Sequence, residues 1–136
     1  MKRLTVILAL LWLAALLRLT VFRNGCFSHG LFSGRVELNA FAYYAELARV
    51  GNLRYFLYLF VGNLLWFLPA GILVRLWGGK LWQALLAGFC LSLFIETMQF
   101  VLGCGVSELD DLILNTLGAV IGYGLAALTR KRPVHQ

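Results

Sequence analysis

The side chains of this sequence that could do chemistry are carboxylates and amides lying inside or beside apolar segments. An ionisable side chain inside such a segment costs at least a few kcal/mol unless it has a partner or a function. Glu96 lies within one segment, and Asp110 and Asp111 lie just before another. Three amides are expected at a similar depth: Asn63, Gln99 and Asn115. This cluster indicates a polar binding site, or a site of proton transfer if burial raises the carboxylate pKa values.

Small and polar residues recur at helical spacing on two segments. Spacings of four, four, three and four residues place one set on one face: Gly88, Ser92, Glu96, Gln99 and Gly103. Spacings of four, three, four and four residues do the same for a second set: Asp111, Asn115, Gly118, Gly122 and Ala126. Gly118 and Gly122 form a G-x-x-x-G pair that lets another helix backbone approach closely. We expect the two segments to be antiparallel neighbours with their polar ends together.

The composition identifies the elements that position these residues. Of 136 residues, 61% are hydrophobic and only 13% are charged, against about 25% in an ordinary soluble domain. Four apolar segments, residues 4–22, 55–74, 81–102 and 112–128, are long enough to cross a hydrocarbon layer of about 30 Å as helices. The sequence therefore predicts a single all-α domain, residues 1–136, that is a polytopic membrane protein with four transmembrane helices.

Charge placement predicts the orientation. One side of the predicted membrane path carries seven basic and no acidic residues: Lys2, Arg3, Arg75, Lys80, Arg130, Lys131 and Arg132. Cytoplasmic loops carry such an excess, so both termini are predicted to be cytoplasmic. A cleaved signal peptide is the alternative for the first segment, but a retained helix is favoured because no small-x-small cleavage site follows it.

The outer segment between the first two spans covers residues 23–54. Its middle, residues 38–50, predicts a short amphipathic helix with four residues on one face: Phe41, Tyr44, Leu47 and Ala48. This helix would lie on the outer leaflet or enter it as a re-entrant helix. An aromatic interfacial loop that only anchors two spans is the alternative.

Other kinds of site are weakly indicated. Oxygen ligands suit Mg²⁺ or Ca²⁺, so a divalent cation is possible, but His29 and His135 form no spaced pair and there is no zinc pattern. No cofactor is therefore predicted, and no nucleic-acid motif is present. Cys26 and Cys104 both lie on the outer side and could form a disulfide. Glu108 is interpreted as a solvated loop charge.

Structural explanations of the cluster also remain open. Asn63 and Gln99 could serve only as hydrogen bonds between helices, and Gly118 and Gly122 are interpreted as helix-packing residues. One of the two aspartates could simply favour the N-terminus of the last helix. A cation must balance the carboxylates, and we favour Arg35 over Arg18, Arg23 or a metal ion. Arg35 lies four residues before Asn39, in an element that carries the family resemblance described below, and its guanidinium can bind a carboxylate bidentately.

Two stretches carry a family resemblance. The run from Ile95 to Phe100, followed by Glu108 to Gly118 and by Gly122-Tyr123, resembles the signature of the VanZ-like family. The stretch from Asn63 to Gly71 looks like the family's N-x-x-x-F-x-P-x-G segment, and Arg35 to Phe41 is similar to its shorter outer element. The resemblance covers residues 35–123 and places binding residues at Arg35, Asn39, Asn63, Glu96, Gln99, Asp111 and Asn115. It departs from the pattern after Asn39, where Phe41-Ala42 replaces the usual Pro-Phe.

The resemblance implies a process, because the family's namesake is associated with resistance to teicoplanin, a lipid-tailed glycopeptide. It implies a bacterial cytoplasmic membrane protein of the cell envelope whose partners are membrane lipids and a lipoglycopeptide or lipid-linked wall precursor. An intramembrane enzyme that uses Glu96, Asp110 and Asp111 as catalytic residues is the alternative, and a scaffold without a ligand is a second. The oligomeric state and the identity of the ligand are left open.

Overall fold

The computed structural model of the chain describes residues 2–22 and 30–129. In chain order the elements are α1 (Lys2–Thr20), β1 (Arg35–Glu37), α2 (Ala42–Arg49), α3 (Leu53–Leu76), α4 (Leu81–Leu102), β2 (Val106–Glu108) and α5 (Leu109–Thr129). Helices α1, α3, α4 and α5 are long and apolar enough to cross a membrane. The chain is therefore a helical, multi-pass membrane protein, as the hydropathy of the sequence predicts.

The helix bounds differ from the predicted spans by at most three residues, and local contacts explain two of the differences. Helix α3 begins before its predicted start because the Asn52 side chain accepts a hydrogen bond from the backbone N–H of Tyr55 at 3.3 Å, which caps the first turn. Helix α5 begins at Leu109, directly after β2, so that Asp110 and Asp111 belong to its first turn.

The four long helices are unequally packed. Helix α5 packs most extensively against α3, and α4 is its second neighbour. Only 6% of the apolar window of α1 is buried inside the protein, against 28% for α4 and for α5. The end of α1 is held by a small apolar cluster of Leu16, Val21, Phe67 and Ile95. The bundle is therefore a core of α3, α4 and α5 with α1 at its edge.

Backbone contact between α3 and α5 depends on glycines. A Cβ atom on Gly118 would collide with the carbonyl oxygen of Leu64, and one on Gly122 would collide with that of Leu68. From the other side, a Cβ on Gly71 would collide with the Ala119 carbonyl oxygen. The G-x-x-x-G pair of α5 thus does permit close approach, and the helix that approaches it is α3.

A parallel pair of short strands, which the sequence did not predict, covers one end of the bundle. Arg35 of β1 lies opposite Val106 of β2, and Glu37 lies opposite Glu108. The pairing continues toward α4, because the backbone N–H of Gly34 donates to the Phe100 carbonyl at 3.1 Å. The strand pair therefore ties the segment before α2 to the connection between α4 and α5.

The amphipathic helix of the segment before α3 is present as α2, with narrower bounds than predicted. Phe41 precedes it in the left-handed region, with φ of 60°, and the helix begins at the next residue. Its buried residues are Tyr44 and Leu47, which face α3. Ala48 and Phe41 are exposed, so the predicted apolar face was too wide: Phe41 precedes the helix, and the buried residues are the pair three positions apart, Tyr44 and Leu47.

Candidate functional site

The polar side chains meet at one end of the bundle, which we call the polar end. Here the last two turns of α4 and the first two turns of α5 lie beside the first half of α3, with α2 and β2 covering them. The polar end is defined by seven residues: Asn63, Glu96, Gln99, Glu108, Asp110, Asp111 and Asn115. Sequence spacing predicted six of them at one depth.

Strand β2 holds Glu96 by two contacts. The Glu96 side chain is 6% exposed, and its Oε2 accepts a hydrogen bond from the backbone N–H of Glu108 at 2.9 Å. The Ser107 hydroxyl donates to the backbone carbonyl of Glu96 at 2.6 Å. Since β2 is held in place by β1, the strand pair determines where this carboxylate points.

Asp111 joins α5 to α3 and α2. The Asn63 amide Nδ2 donates to Asp111 Oδ1 at 2.5 Å and makes a longer contact of 3.5 Å with the Tyr44 hydroxyl. Burial, followed by the negative charges of Asp111 and Asp110, raises the pKa of Tyr44 above its usual value, so its phenol stays neutral. Asn63 therefore acts as a donor that stabilises a carboxylate between three helices.

A second network lies one turn deeper, between α4 and α5. The Asn115 amide Nδ2 donates to the Ser92 hydroxyl at 2.9 Å, and that hydroxyl contacts the Asp111 carbonyl at 3.5 Å. Both side chains are buried. Ser92 and Asn115 belong to the two sets of small and polar residues that the sequence predicts on facing helices, and this hydrogen bond joins the two sets.

Asp110 and Gln99 are the two remaining members of the polar end. Asp110 is 2% exposed and lies in the first turn of α5, where the helix macrodipole favours a negative charge. The Gln99 side chain donates through Nε2 to the Thr20 carbonyl at the end of α1, at 3.3 Å. Gln99 thus attaches the peripheral helix to the site.

Several buried oxygens of the polar end lack a donor. Within the described part of the chain, the buried side-chain acceptors without a hydrogen-bond partner are Glu96 Oε1, Gln99 Oε1, Asp110 Oδ1 and Asn115 Oδ1. A buried acceptor left without a donor costs roughly 1–3 kcal/mol. All four atoms accept and none donates, so the site has capacity for added protons or for a ligand that donates hydrogen bonds.

Two concavities open at this end. A polar cavity of about 230 Å³ is lined mainly by aromatic and polar residues: Tyr43, Tyr44, Tyr55, Leu59, Asn63, Gln99, Val106, Glu108 and Asp111. An apolar groove of about 290 Å³ runs beside it between the strand pair and the two helices α4 and α5. Val106 lines the cavity, Ser107 lines the groove, and Glu108 lines both. The two spaces therefore meet at one residue, Glu108.

The sequence matches the model of the VanZ/LLP1 family over residues 4–130. The chain belongs to the VanZ/LLP1 family. Comparisons with curated proteins and with solved structures gave no match. In this VanZ/LLP1 chain the matched range runs from the first turn of α1 to the end of α5 and contains every residue of the polar end.

Two predicted binding residues lie away from this network. Arg35 is exposed on β1, and no ion pair joins it to an acidic residue in the described part of the VanZ/LLP1 chain. Asn39 is exposed, and its backbone N–H donates to the Glu37 side chain at 2.9 Å. The Arg18 guanidinium contacts the Phe22 carbonyl instead of a carboxylate. The structure thus brings none of these three side chains to the carboxylates.

Other predictions concern residues beyond those described. Arg23, Cys26, His29, Arg130, Lys131, Arg132 and His135 lie outside the described residues. Cys104 is buried beside the Gln99 carbonyl. In residues 2–22 and 30–129, no three Asp, Glu, His or Cys side chains are grouped so that they could hold a metal ion.

Three contributors to the site were missed by sequence reasoning. Glu108 was interpreted as a solvated charge, but it is half-buried and lines both concavities. Ser107 and Tyr44 are buried partners of the network. Only Tyr44 carried a usable signal, since it lies on the apolar face of the predicted amphipathic helix. The other two are positioned by a strand pair that periodicity does not reveal.

Proposed function

We propose that this VanZ/LLP1 protein binds an amphiphile of the bacterial cell envelope and thereby lowers sensitivity to teicoplanin-type antibiotics. The amphiphile is a lipid-tailed glycopeptide or a lipid-linked wall molecule. The observation that carries the proposal is the junction of a polar cavity with an apolar groove at Glu108. A headgroup and the first part of an acyl chain require such a pair of adjoining surfaces.

The proposed location is the outer face of the bacterial cytoplasmic membrane. The end of the bundle opposite the site carries Arg75 in the last turn of α3 and Lys80 in the connection to α4, and no acidic residue lies in that connection. Basic residues collect on the cytoplasmic side, so the polar end would face outward and both termini inward. This orientation presents the site to molecules that act on cell-wall precursors outside the membrane.

The size of the concavities limits what the site can enclose. Pockets for whole drug-sized ligands measure roughly 300–1,000 Å³, and each concavity here is at or below the lower end of that range. We therefore propose that the protein encloses a headgroup and part of one chain, and that the remainder of a glycopeptide would stay outside.

Antibiotic susceptibility tests the proposal. Expression in a susceptible Gram-positive host should raise the inhibitory concentration of teicoplanin more than that of vancomycin, which lacks the lipid tail. Leu93→Trp, which fills the apolar groove, should reduce this increase, whereas Leu86→Trp, on an exposed face of the same helix and outside the groove, should leave it intact. Equal shifts for both antibiotics, or no shift, would count against the proposal.

The orientation has its own test. In a background without native cysteines, an impermeant thiol reagent should label Val50→Cys on intact cells and Trp77→Cys only after lysis. Both positions are exposed, and Trp77 avoids the strained backbone of Gly78, where φ is 84°. Labelling of position 77 from outside would move the site to the cytoplasmic face.

An intramembrane enzyme is a second candidate, because Glu96 Oε1 and Asp110 Oδ1 are buried carboxylate oxygens without a donor. In this case Glu96 would act as acid or base, and Asp110 and Asp111 would orient a polar headgroup. Purified protein incubated with labelled envelope lipids separates the candidates. Turnover abolished by Glu96→Gln, but not by the exposed control Glu46→Gln, would establish an enzyme; binding without turnover would favour the first proposal, and neither would favour a scaffold.

A further inference from the structure

We propose that the polar cavity accepts a positively charged ammonium headgroup and discriminates against headgroups that lack a positive charge. This inference rests on the proposed function, because it specifies the head of the amphiphile that the site would bind. The structure supports it through three separate features: the use of the available donors, the orientation of the remaining acceptors, and the aromatic rings of the cavity wall.

The side-chain amide donors of the cavity already have partners within the protein. The Asn63 amide donates to Asp111, and the Gln99 amide donates to the Thr20 carbonyl. The backbone N–H of Glu108 donates to the Glu96 carboxylate. None of the described residues that line the cavity is basic. Apart from the tyrosine hydroxyls, an anionic headgroup would find few side-chain donors here, and it would meet two carboxylates.

What the cavity wall offers instead is acceptors. Gln99 lines the cavity, is 7% exposed, and its Oε1 has no hydrogen-bond partner. The carboxyl groups of Glu108 and Asp111 lie in the same wall. An ammonium group donates up to three hydrogen bonds to acceptors of this kind, and it would place a positive charge beside the carboxylates.

Aromatic rings complete the wall. Three tyrosines line the cavity, and such rings attract a cation through their negative faces, as in the aromatic cages that bind quaternary ammonium groups. The Tyr44 ring is held edge-to-face by Phe56 and Phe60, at centroid distances of 5.5 and 5.9 Å. The Tyr55 ring is stacked on Tyr58 at 6.1 Å. The buried Tyr44 ring is therefore held in place before any ligand enters, and the more exposed Tyr55 ring has one stacking partner.

The position of the groove determines where the acyl chain of the ligand would lie. Glu108 lies in the wall of both concavities, and the groove beyond it is lined by Leu93, Phe100 and Leu112. A single-chain amphiphile with its ammonium group among the tyrosines would pass Glu108 and lay its first methylenes in the groove. The proposed ligand class is thus an amphiphile with an ammonium head and at least one acyl chain.

Three single-chain lipids with the same acyl chain serve as probes: lysophosphatidylethanolamine, its N-acetylated derivative and lysophosphatidylglycerol. Acetylation removes the positive charge while the phosphate and the chain remain. Native mass spectrometry of the full-length protein in a neutral maltoside detergent would measure each Kd. We expect the ammonium lipid to bind about tenfold more tightly than either of the others, in line with an interaction of roughly 1–2 kcal/mol.

Variants locate the preference in the cavity. The double variant Tyr43→Ala with Tyr55→Ala removes two rings that are 48% and 42% exposed, so it leaves the core filled. Glu108→Gln removes a charge and retains the backbone N–H that donates a hydrogen bond to the Glu96 carboxylate. Each should abolish the preference for the ammonium lipid, whereas Phe94→Ala, an exposed ring of α4 outside the cavity, should preserve it. Thermal unfolding of each variant would confirm that it is folded. If the double variant does not fold, Glu108→Gln alone tests the inference.

The outcomes distinguish the ammonium preference from amphiphile binding itself. Equal binding of all three lipids, weakened for all by Leu93→Trp, would overturn the headgroup inference and leave amphiphile binding standing. Tighter binding of lysophosphatidylglycerol, or an ammonium preference that survives both cavity variants, would also overturn it. Binding of none of the lipids would contradict amphiphile binding itself, and the headgroup inference with it.

Discussion

The same two helices, α3 and α5, meet in opposite ways at their two ends. Where Gly118 and Gly122 lie, the backbone of α5 contacts the carbonyl groups of α3, and there is no space for a methyl group. Toward the polar end a side-chain hydrogen bond from Asn63 to Asp111 joins the pair, beside a cavity of about 230 Å³. One interface is closely packed and closed, and the other is polar and open.

The contrast indicates how a small membrane protein can hold a cavity open. In lipid there is no hydrophobic force between helices, so close van der Waals contact has to position them. Glycines supply this contact in the closed half. Because that contact positions the two helices, the polar half can retain a cavity and buried acceptors without partners, although both reduce stability.

The largest effect is expected in the closed half, for Gly122→Ala. The new Cβ would collide with the backbone of Leu68, which cannot move aside as a flexible side chain could. Overpacking of this kind costs about 1–3 kcal/mol. Equilibrium unfolding in mixed detergent would measure the loss of stability.

Gly124→Ala is the matched control, because this glycine is on the same helix and a Cβ there would meet open space. Its stability should be unchanged or higher, since alanine is the better helix former. Equal losses for the two variants would show that the closed half does not depend on backbone contact with α3.

A smaller effect is expected for the polar network of Ser92 and Asn115. Hydrogen bonds between membrane helices contribute about 0.6 kcal/mol on average and rarely more than about 1.7 kcal/mol. A double-mutant cycle with Ser92→Ala and Asn115→Ala should give a coupling energy in this range, because the two side chains contact each other directly at 2.9 Å. Strictly additive losses of stability would mean that this hydrogen bond does not stabilise the polar end.

The pH dependence of stability should depend on Tyr44, the residue through which α2 covers the polar end. The pKa of Tyr44 is higher in the folded protein than its ordinary value near 10, so its contribution is fully present below pH 10 and is lost as the pH rises further. The slope is limited to about 1.4 kcal/mol per pH unit for one proton.

Tyr44→Phe should therefore lose less stability than the native protein between about pH 10 and 11. Unfolding of the two proteins across this range, in the same detergent, provides the measurement. Parallel curves would mean that the Tyr44 phenol is not buried beside the aspartates.

The smallest effect is expected for Arg35→Ala. The sequence favoured a pair between Arg35 and Glu96 or Asp111, whose loss would cost roughly 3–5 kcal/mol because it strands a buried charge. In the structure Arg35 is exposed, and its strand is held through the backbone, so the expected change is within about 0.5 kcal/mol. A loss of several kcal/mol that disappears in the Glu96→Gln background would restore the pairing.

Periodicity and hydropathy predicted much of the site. Glu96, Gln99 and Asn115 lie on buried faces, as the polar stripes require, because the face of a helical residue depends only on its spacing. The depth of Asn63 followed from its distance along α3. Glu108 could not be assigned in this way, since its burial depends on β1, a strand that pairs with it from a distant part of the chain.

The amino-acid sequence by itself determined the four apolar helices, the short amphipathic helix and the common level of the polar residues, because these depend on composition and spacing within each segment. Tertiary structure alone decided three matters: that the glycines of α5 face α3, that a strand pair places Glu108 above Glu96, and that Arg35 is exposed. Each depends on contacts between segments far apart in the chain, which no local pattern specifies.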